Sequence, residues 1–345
     1  MRRYDHGGDI YGPEPVLLDF SVNVNPLGLP ATARQALIRH LPDYERYPDP
    51  ACRQLTQALA RQHQLKPEQV LCGNGAADLL FRLAACLKPR RALTLAPAFS
   101  EYERSTALFG GEIREHRLLR ENGFALTRAV LDELTPDLDM LFLCNPNNPT
   151  ARLIEPGLLE EIAAACQQLG VYLVLDECFI DFTHGQTLIP RLGAYPRLLI
   201  LRAFTKIYAL AGLRLGYLLA ADAGLLAKIA AFGPKWNVSV AAQIAGLACL
   251  EAPGWLEKSR ELIDQERAFL ARGLTELGLR VFPSDANFLL IQSDRPLLEP
   301  LKAQGILLRD CANFSGLDHS YLRIGLKTHE DNQALLSLIA EALHD

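Results

Sequence analysis

The sequence predicts an α/β fold in two parts, a large unit around a mostly parallel sheet and a smaller α+β lobe. Three observations predict it. Short, continuously apolar runs such as Met140 to Cys144 suit strands buried on both faces. These runs alternate with amphipathic helical stretches, as at Ala76 to Leu87 and Pro156 to Leu169. After one long amphipathic stretch, Trp255 to about Leu277, the pattern changes to short strands and helices of a different spacing. A chain of 345 residues is long enough to bury a sizeable core in each part. The predicted divisions are an N-terminal arm and helix over residues 1–45, associated with the small lobe, a large unit over 46–254 and a small α+β unit over 255–345.

Taken in order, residues 1 to about 30 are rich in Gly, Pro and Asn and read as an irregular arm with one short strand near Leu17 to Phe20. A helix over Ala31 to His40 comes next, then Tyr47-Pro-Asp-Pro, where two prolines fix an extended turn. Helix resumes at Ala51. Strands are expected at Val70–Cys72, Ala92–Ala96, Ile113–Arg117, Met140–Cys144, Val171–Leu175, Arg197–Leu201 and Leu215–Ala220, with a helix over Phe99 to Phe109. A helical stretch around Val238 to Leu250 leads to the long helix. Beyond it, strands Arg280–Phe282, Asn287–Gln292, Ile306–Arg309 and Tyr321–Gly325 and helices near Pro296–Gln304 and Glu330–His344 build the small lobe.

The formal net charge of -5, with signs interspersed, offers no basic face for nucleic acid. Eight cysteines occur without a C-x-x-C pair or a Cys/His ligand cluster, which predicts no metal site and a reducing compartment. The opening Met-Arg-Arg-Tyr-Asp-His-Gly-Gly lacks the apolar core of a signal peptide, and no apolar run approaches the roughly 20 residues that span a bilayer. The expectation is a cytoplasmic protein with no membrane partner.

The chemistry converges on Leu201 to Tyr217. Lys206 stands after an apolar run among small and apolar residues, surroundings that lower an amine pKa and make the group a usable nucleophile. Thr205 and Arg214 beside it are a hydroxyl donor and a fixed cation, the groups that hold a phosphate monoester. Gly73-Asn-Gly-Ala-Ala-Asp78 joins a strand to a helix, so backbone amides at Gly75 to Ala77 form a second anion element. Pro97-Ala-Phe-Ser-Glu-Tyr102 comes after the next strand end and offers the ring of Tyr102 for stacking on a flat ligand, or a core aromatic pair. Asn148, in Asn145-Pro-Asn-Asn-Pro-Thr150, can donate to a phenolate oxygen at a strand end. Asp176 closes an apolar strand, where an acid is costly unless paired, and suits a pyridinium nitrogen.

These residues resemble the fold-type I pyridoxal-phosphate enzymes over nearly the whole chain, in the branch of histidinol-phosphate aminotransferases and threonine-phosphate decarboxylases of cobamide biosynthesis. Within the branch, His6-Gly-Gly, Asp19-Phe-Ser-Val-Asn-Val-Asn-Pro-Leu-Gly28, Asp176-Glu-Cys-Phe-Ile-Asp-Phe182, Thr205 to Tyr217, and Arg309 to Leu317 leading to Tyr321-Leu-Arg-Ile324 look like the decarboxylases. The aminotransferases typically carry tyrosine where this chain has Phe179. The resemblance implies pyridoxal 5'-phosphate, with Lys206 as the Schiff-base lysine, Asp176 on the ring nitrogen, Asn148 on O3′ and Tyr102 as the stacking ring. Gly75, Ala76, Thr205 and Arg214 would hold the cofactor phosphate, with Tyr47 reaching it from the other subunit of a homodimer. On the substrate side it implies Arg323 for a carboxylate, and Arg309, His6, Gly7 and Asn23 around a substrate phosphate, with Asn148 beside them. The implied reaction is decarboxylation of O-phospho-L-threonine to (R)-1-amino-2-propanol O-phosphate, with a histidinol-phosphate-type aminotransferase or an O-phospho-L-serine decarboxylase as alternatives. Ala151 and Ala211 depart from the family's usual glycine and proline.

Overall fold

The computed structural model describes residues 6–12 and 15–344. A seven-stranded sheet forms its centre, in the order Val70–Gly73, Gly216–Ala220, Leu198–Ala203, Tyr172–Asp176, Met140–Cys144, Arg91–Ala96 and Glu112–Arg117. Only Gly216–Ala220 runs antiparallel to its neighbours; the other pairings are parallel. The middle strands are buried at almost every position, because helices cover both faces, and this is why they read as unbroken apolar runs. Cys144, Asp176 and Leu201 stand abreast in register, so the segments after them open on the same edge of the sheet.

A second sheet is antiparallel throughout, in the order Arg309–Asp310, Tyr321–Gly325, Phe288–Gln292 and Arg280–Val281. The single strand expected over Ile306 to Arg309 is two. Ile306–Leu307 pairs in parallel with Leu18–Asp19 of the N-terminal arm, and Arg309–Asp310 turns into the four-stranded sheet. The arm is thereby fixed to this part of the molecule, and Gly325 N–H donates to Phe20 O as it passes. The helix Ala31–Arg39 packs against the helix Val240–Leu250, with Thr32 Oγ1 donating to Ala248 O. The sequence reading lacked the helix Ala223–Ala231, whose nearly all-apolar composition blurs a helical period. Among the described residues, no helix is long and apolar enough to cross a membrane.

Candidate active site

A cavity of about 400 Å³ opens at the C-terminal ends of the parallel strands, where open α/β sheets bind ligands. Of the residues singled out from the sequence, His6, Gly7, Asn23, Ala76, Tyr102, Asn148, Asp176, Thr205, Lys206, Arg214, Arg309 and Arg323 line it. Gly75 forms the adjoining turn.

Lys206 lies on the single helical turn Phe204–Ile207, directly after the buried strand Leu198–Ala203. Burial, reinforced by the Arg323 and Arg214 cations, lowers its amine from 10.5 to about 8, against opposing effects of Cys178 and Asp176. At the neighbouring strand end, Asp176 is buried. Its Oδ2 accepts from Tyr102 Oη at 2.8 Å and its Oδ1 from Cys178 N–H at 2.9 Å. The next acid, Glu177, is on the opposite side of the chain path, 3.4 Å from Arg202 Nη1.

The helix Ala76–Leu87 starts beside this pair with no side-chain cap at Gly75, leaving backbone N–H groups at its positive end for an anion. Gly75 has φ +87°, and a Cβ there would stand 2.7 Å from Arg214 Nη2. The left-handed backbone favours glycine here, and the exposed Arg214 guanidinium lies against the turn, with Thr205 on the same cavity wall.

Tyr102 is one of the cavity residues, with a core aromatic ring behind it. Its ring is 1% exposed and lies nearly parallel to Phe142, at 5.4 Å and 8°, with its hydroxyl held by Asp176. Phe99, half-buried and edge-on to Tyr102 at 5.7 Å, also lines the cavity. Phe99 lies in the turn between the strand Arg91–Ala96 and the helix Glu101–Leu108, and Tyr102 lies in the first turn of that helix. The position of Phe99 three residues beyond a buried strand was the available signal.

The far side of the cavity is cationic. Arg309 and Arg323 are directly opposed across an antiparallel pair, both buried. Like charges so placed repel, and burial together with the Arg309 cation lowers Arg323 to about 10. Arg323 donates through Nη1 to Asn148 Oδ1 at 2.5 Å and through Nη2 to Ser21 O at 2.8 Å, while its buried Nε has no partner. No carboxylate among the described residues pairs with it. Because Arg323 claims the Asn148 oxygen, the Asn148 amide is left with its nitrogen as a donor. Arg309 donates to Asp310 O and to Asn313 Oδ1 and lies 5.1 Å from the centroid of Phe314.

The arm closes the mouth. A Cβ on Gly7 would stand 2.2 Å from Ser21 O, so the arm can fold back on itself only through glycine. His6 Nε2 is 3.1 Å from Glu101 Oε1, an acid the sequence reading did not single out. Asn23 Oδ1 is buried without a partner. Tyr47 is not in the cavity of its own chain; it is 81% exposed, against Trp236 at 5.0 Å. Phe179 packs edge-on to Phe288 and brings no hydroxyl. Ala151 is buried at φ +61°, the left-handed conformation that glycine usually takes, so its side chain is accommodated with strain of about 1 kcal/mol rather than by a change of turn.

The arrangement suits pyridoxal phosphate: a depressed amine, an anion turn, a held carboxylate, an amide donor and an open ring face converge on one cavity. Arg323, buried without a carboxylate partner among the described residues, and Arg309 beside it suit a second, doubly anionic molecule.

The aminotransferase class I and II family matches residues 15–339. The chain is 43% identical to the threonine-phosphate decarboxylase of Salmonella typhimurium over 98% of its own length and 96% of that protein's. Among solved structures it is similar to the histidinol-phosphate aminotransferase from Clostridium acetobutylicum, with TM-score 0.89 and 28% identity over 95% of this chain and 99% of that one. It is also similar to the L-threonine-O-3-phosphate decarboxylase from Porphyromonas gingivalis, with TM-score 0.85 and 25% identity over 95% of this chain and 100% of that one.

Proposed function

Given that the chain belongs to the aminotransferase class I and II family, we propose that it is a pyridoxal-phosphate lyase acting on O-phospho-L-threonine. It releases carbon dioxide and (R)-1-amino-2-propanol O-phosphate, the linker of a cobamide. One observation carries the reading: Arg323 and Arg309 are buried side by side in the cavity that Lys206 also lines, two cations for a substrate with two anionic ends. The 43% identity to a threonine-phosphate decarboxylase supports it.

When bound, pyridoxal phosphate supplies an aldehyde for the amine and a ring that accepts the electron pair left as the carboxylate departs. This chain's residues do the rest. Gly75, Ala76, Thr205 and Arg214 would hold the cofactor phosphate, and Tyr102, with Phe99 edge-on beside it, would lie against the ring. Asp176, oriented by the Tyr102 hydroxyl and the Cys178 amide, holds a proton on the ring nitrogen. Asn148 donates to O3′. With its amine at about 8, Lys206 keeps roughly a tenth of its nitrogen unprotonated at pH 7, far more than an exposed lysine, and in its protonated form can deliver a proton at Cα. Arg323 binds the substrate carboxylate through a planar fork, and Arg309, His6, Gly7 and Asn23 bind the substrate phosphate. Tyr47 completes the cofactor-phosphate site of a second subunit in a homodimer. The cofactor groups thus come from residues 46–254, the arginines from 255–345, and the arm from 1–45 lies between.

An aminotransferase would use the same groups and break the Cα–H bond in place of the bond to the carboxylate, and overall fold similarity is common to both. Phe179, which withholds a second hydroxyl from O3′, favours the lyase. Phosphoserine differs by one methyl group, worth about 1–3 kcal/mol of discrimination. The test is to incubate the purified protein with phosphothreonine, with and without a 2-oxo acid, and to identify the products. Carbon dioxide and aminopropanol phosphate without need of the oxo acid are expected; stoichiometric amino transfer with no carbon dioxide rejects the reading.

A further inference from the structure

A closed set of hydrogen bonds lies against the turn that carries Lys206, and Asn25 is at its centre. Asn25 is 3% exposed. Its backbone N–H donates to Lys206 O at 3.1 Å, and its Nδ2 donates to Ile207 O and to Ser259 Oγ, each at 2.8 Å. Trp255 Nε1 donates to the same Ile207 oxygen at 2.8 Å, and Ser259 Oγ donates in turn to Trp255 O at 2.7 Å. The remaining atom, Asn25 Oδ1, accepts from Leu27 N–H at 3.0 Å. Both donors and the acceptor of this amide are occupied, so it is not a ligand-binding group like its neighbour Asn23.

The set joins three segments distant in sequence: the N-terminal arm, the lysine turn and the first turn of the helix Trp255–Glu276. Within the turn Phe204–Ile207, Lys206 O also accepts from Ala209 N–H at 3.2 Å, whereas Ile207 O takes both of its side-chain donors, Asn25 and Trp255, from the other two segments. Four residues before Asn25, Ser21 O receives Arg323 Nη2. Residues 21–25 are therefore a short strut with one end on Arg323 and the other on the Lys206 turn.

We propose that Asn25 is a positioning residue for Lys206, acting through the backbone of Lys206 and Ile207 to hold the amine at a fixed depth and at a fixed distance from Arg323. The proposal rests on the reading of Lys206 as the nucleophile. Arg323, Arg214, Cys178 and Asp176 are the charged and titratable groups that act on the amine. None of them shares a hydrogen bond with the Asn25 side chain among the described residues, so a change at Asn25 reaches Lys206 through the turn and through the strut that ends on Arg323. Releasing the turn moves the amine toward water and restores part of the hydration of its charged form.

The experiment is reductive methylation of the cofactor-stripped, full-length protein across pH, with Lys206 followed by peptide mass mapping. Wild type should titrate near 8. Asn25→Ala should raise that midpoint by about one unit, cutting the unprotonated fraction at pH 7 about tenfold. Trp255→Phe, which removes only the second donor to Ile207 O, should shift it the same way by less, and it decides the matter if Asn25→Ala does not fold. Folded variants with an unchanged Lys206 midpoint overturn the positioning role even if they melt earlier, since lost stability alone does not move this titration. A wild-type midpoint at the ordinary lysine value overturns the reading of Lys206 itself, and this proposal with it.

Discussion

Replacing Lys206 by Met should stabilise the cofactor-stripped protein, and by an amount that depends on pH in a defined sense. The folded chain lowers this amine from 10.5 to about 8 because it is buried beside Arg323 and Arg214. Between those values the unfolded chain binds a proton that the folded chain does not, so stability rises with pH across the window. Below about 8 both states are protonated and the full cost of the buried charge is present; above 10.5 both are neutral and the cost is gone. A difference of 2.5 pH units corresponds to about 3 kcal/mol. For a chain of 345 residues that is a melting temperature about 4 °C higher for Lys206→Met at pH 7. Methionine fills the lysine stem's volume, so packing changes little. Melting curves of both proteins from pH 7 to 10.5 should converge as pH rises. A variant less stable than wild type at pH 7, or a difference that does not change with pH, would refute the argument that burial depresses the amine.

Arg323→Lys keeps the charge but loses the fork that engages Asn148 and Ser21 and should hold the substrate carboxylate; two charge-assisted bonds at about 1.5–3 kcal/mol each predict a fall in kcat/KM of at least roughly 100-fold. With the carboxylate less well oriented, the fraction of cofactor diverted to its amine form should rise, measured by absorbance and carbon dioxide release in single turnovers; an unchanged partition would show that Arg323 does not set the reacting bond. Mixing Lys206→Ala chains with Tyr47→Phe chains should recover activity, because one site of each mixed dimer then has both residues intact; mixtures no better than the impaired parents would place Tyr47 outside the site.

The chemistry-bearing residues were legible in the sequence where they come directly after a buried strand. Asn148, Asp176 and Lys206 stand at the ends of runs whose unbroken apolar character marks them as central and parallel, and the ends of such strands meet at one edge of a sheet whatever the details of packing. The phosphate turn was legible for a similar local reason: a glycine between strand and helix leaves amides free. Side-chain direction was not. That Phe99 joins Tyr102 on the cavity wall, and that Phe142 backs the Tyr102 ring, depend on how the chain rotates into the helix Glu101–Leu108. The break after Leu307, which sends one apolar stretch into two sheets, depends on the distant arm strand Leu18–Asp19, from the other end of the chain. The opposition of Arg309 and Arg323 is a matter of register, and the bonds from Asn25 to the lysine turn join residues 182 apart. Such pairings carry no periodic signal, because sequence pattern records burial along one element, whereas register and contact between elements are chosen only when the whole core packs.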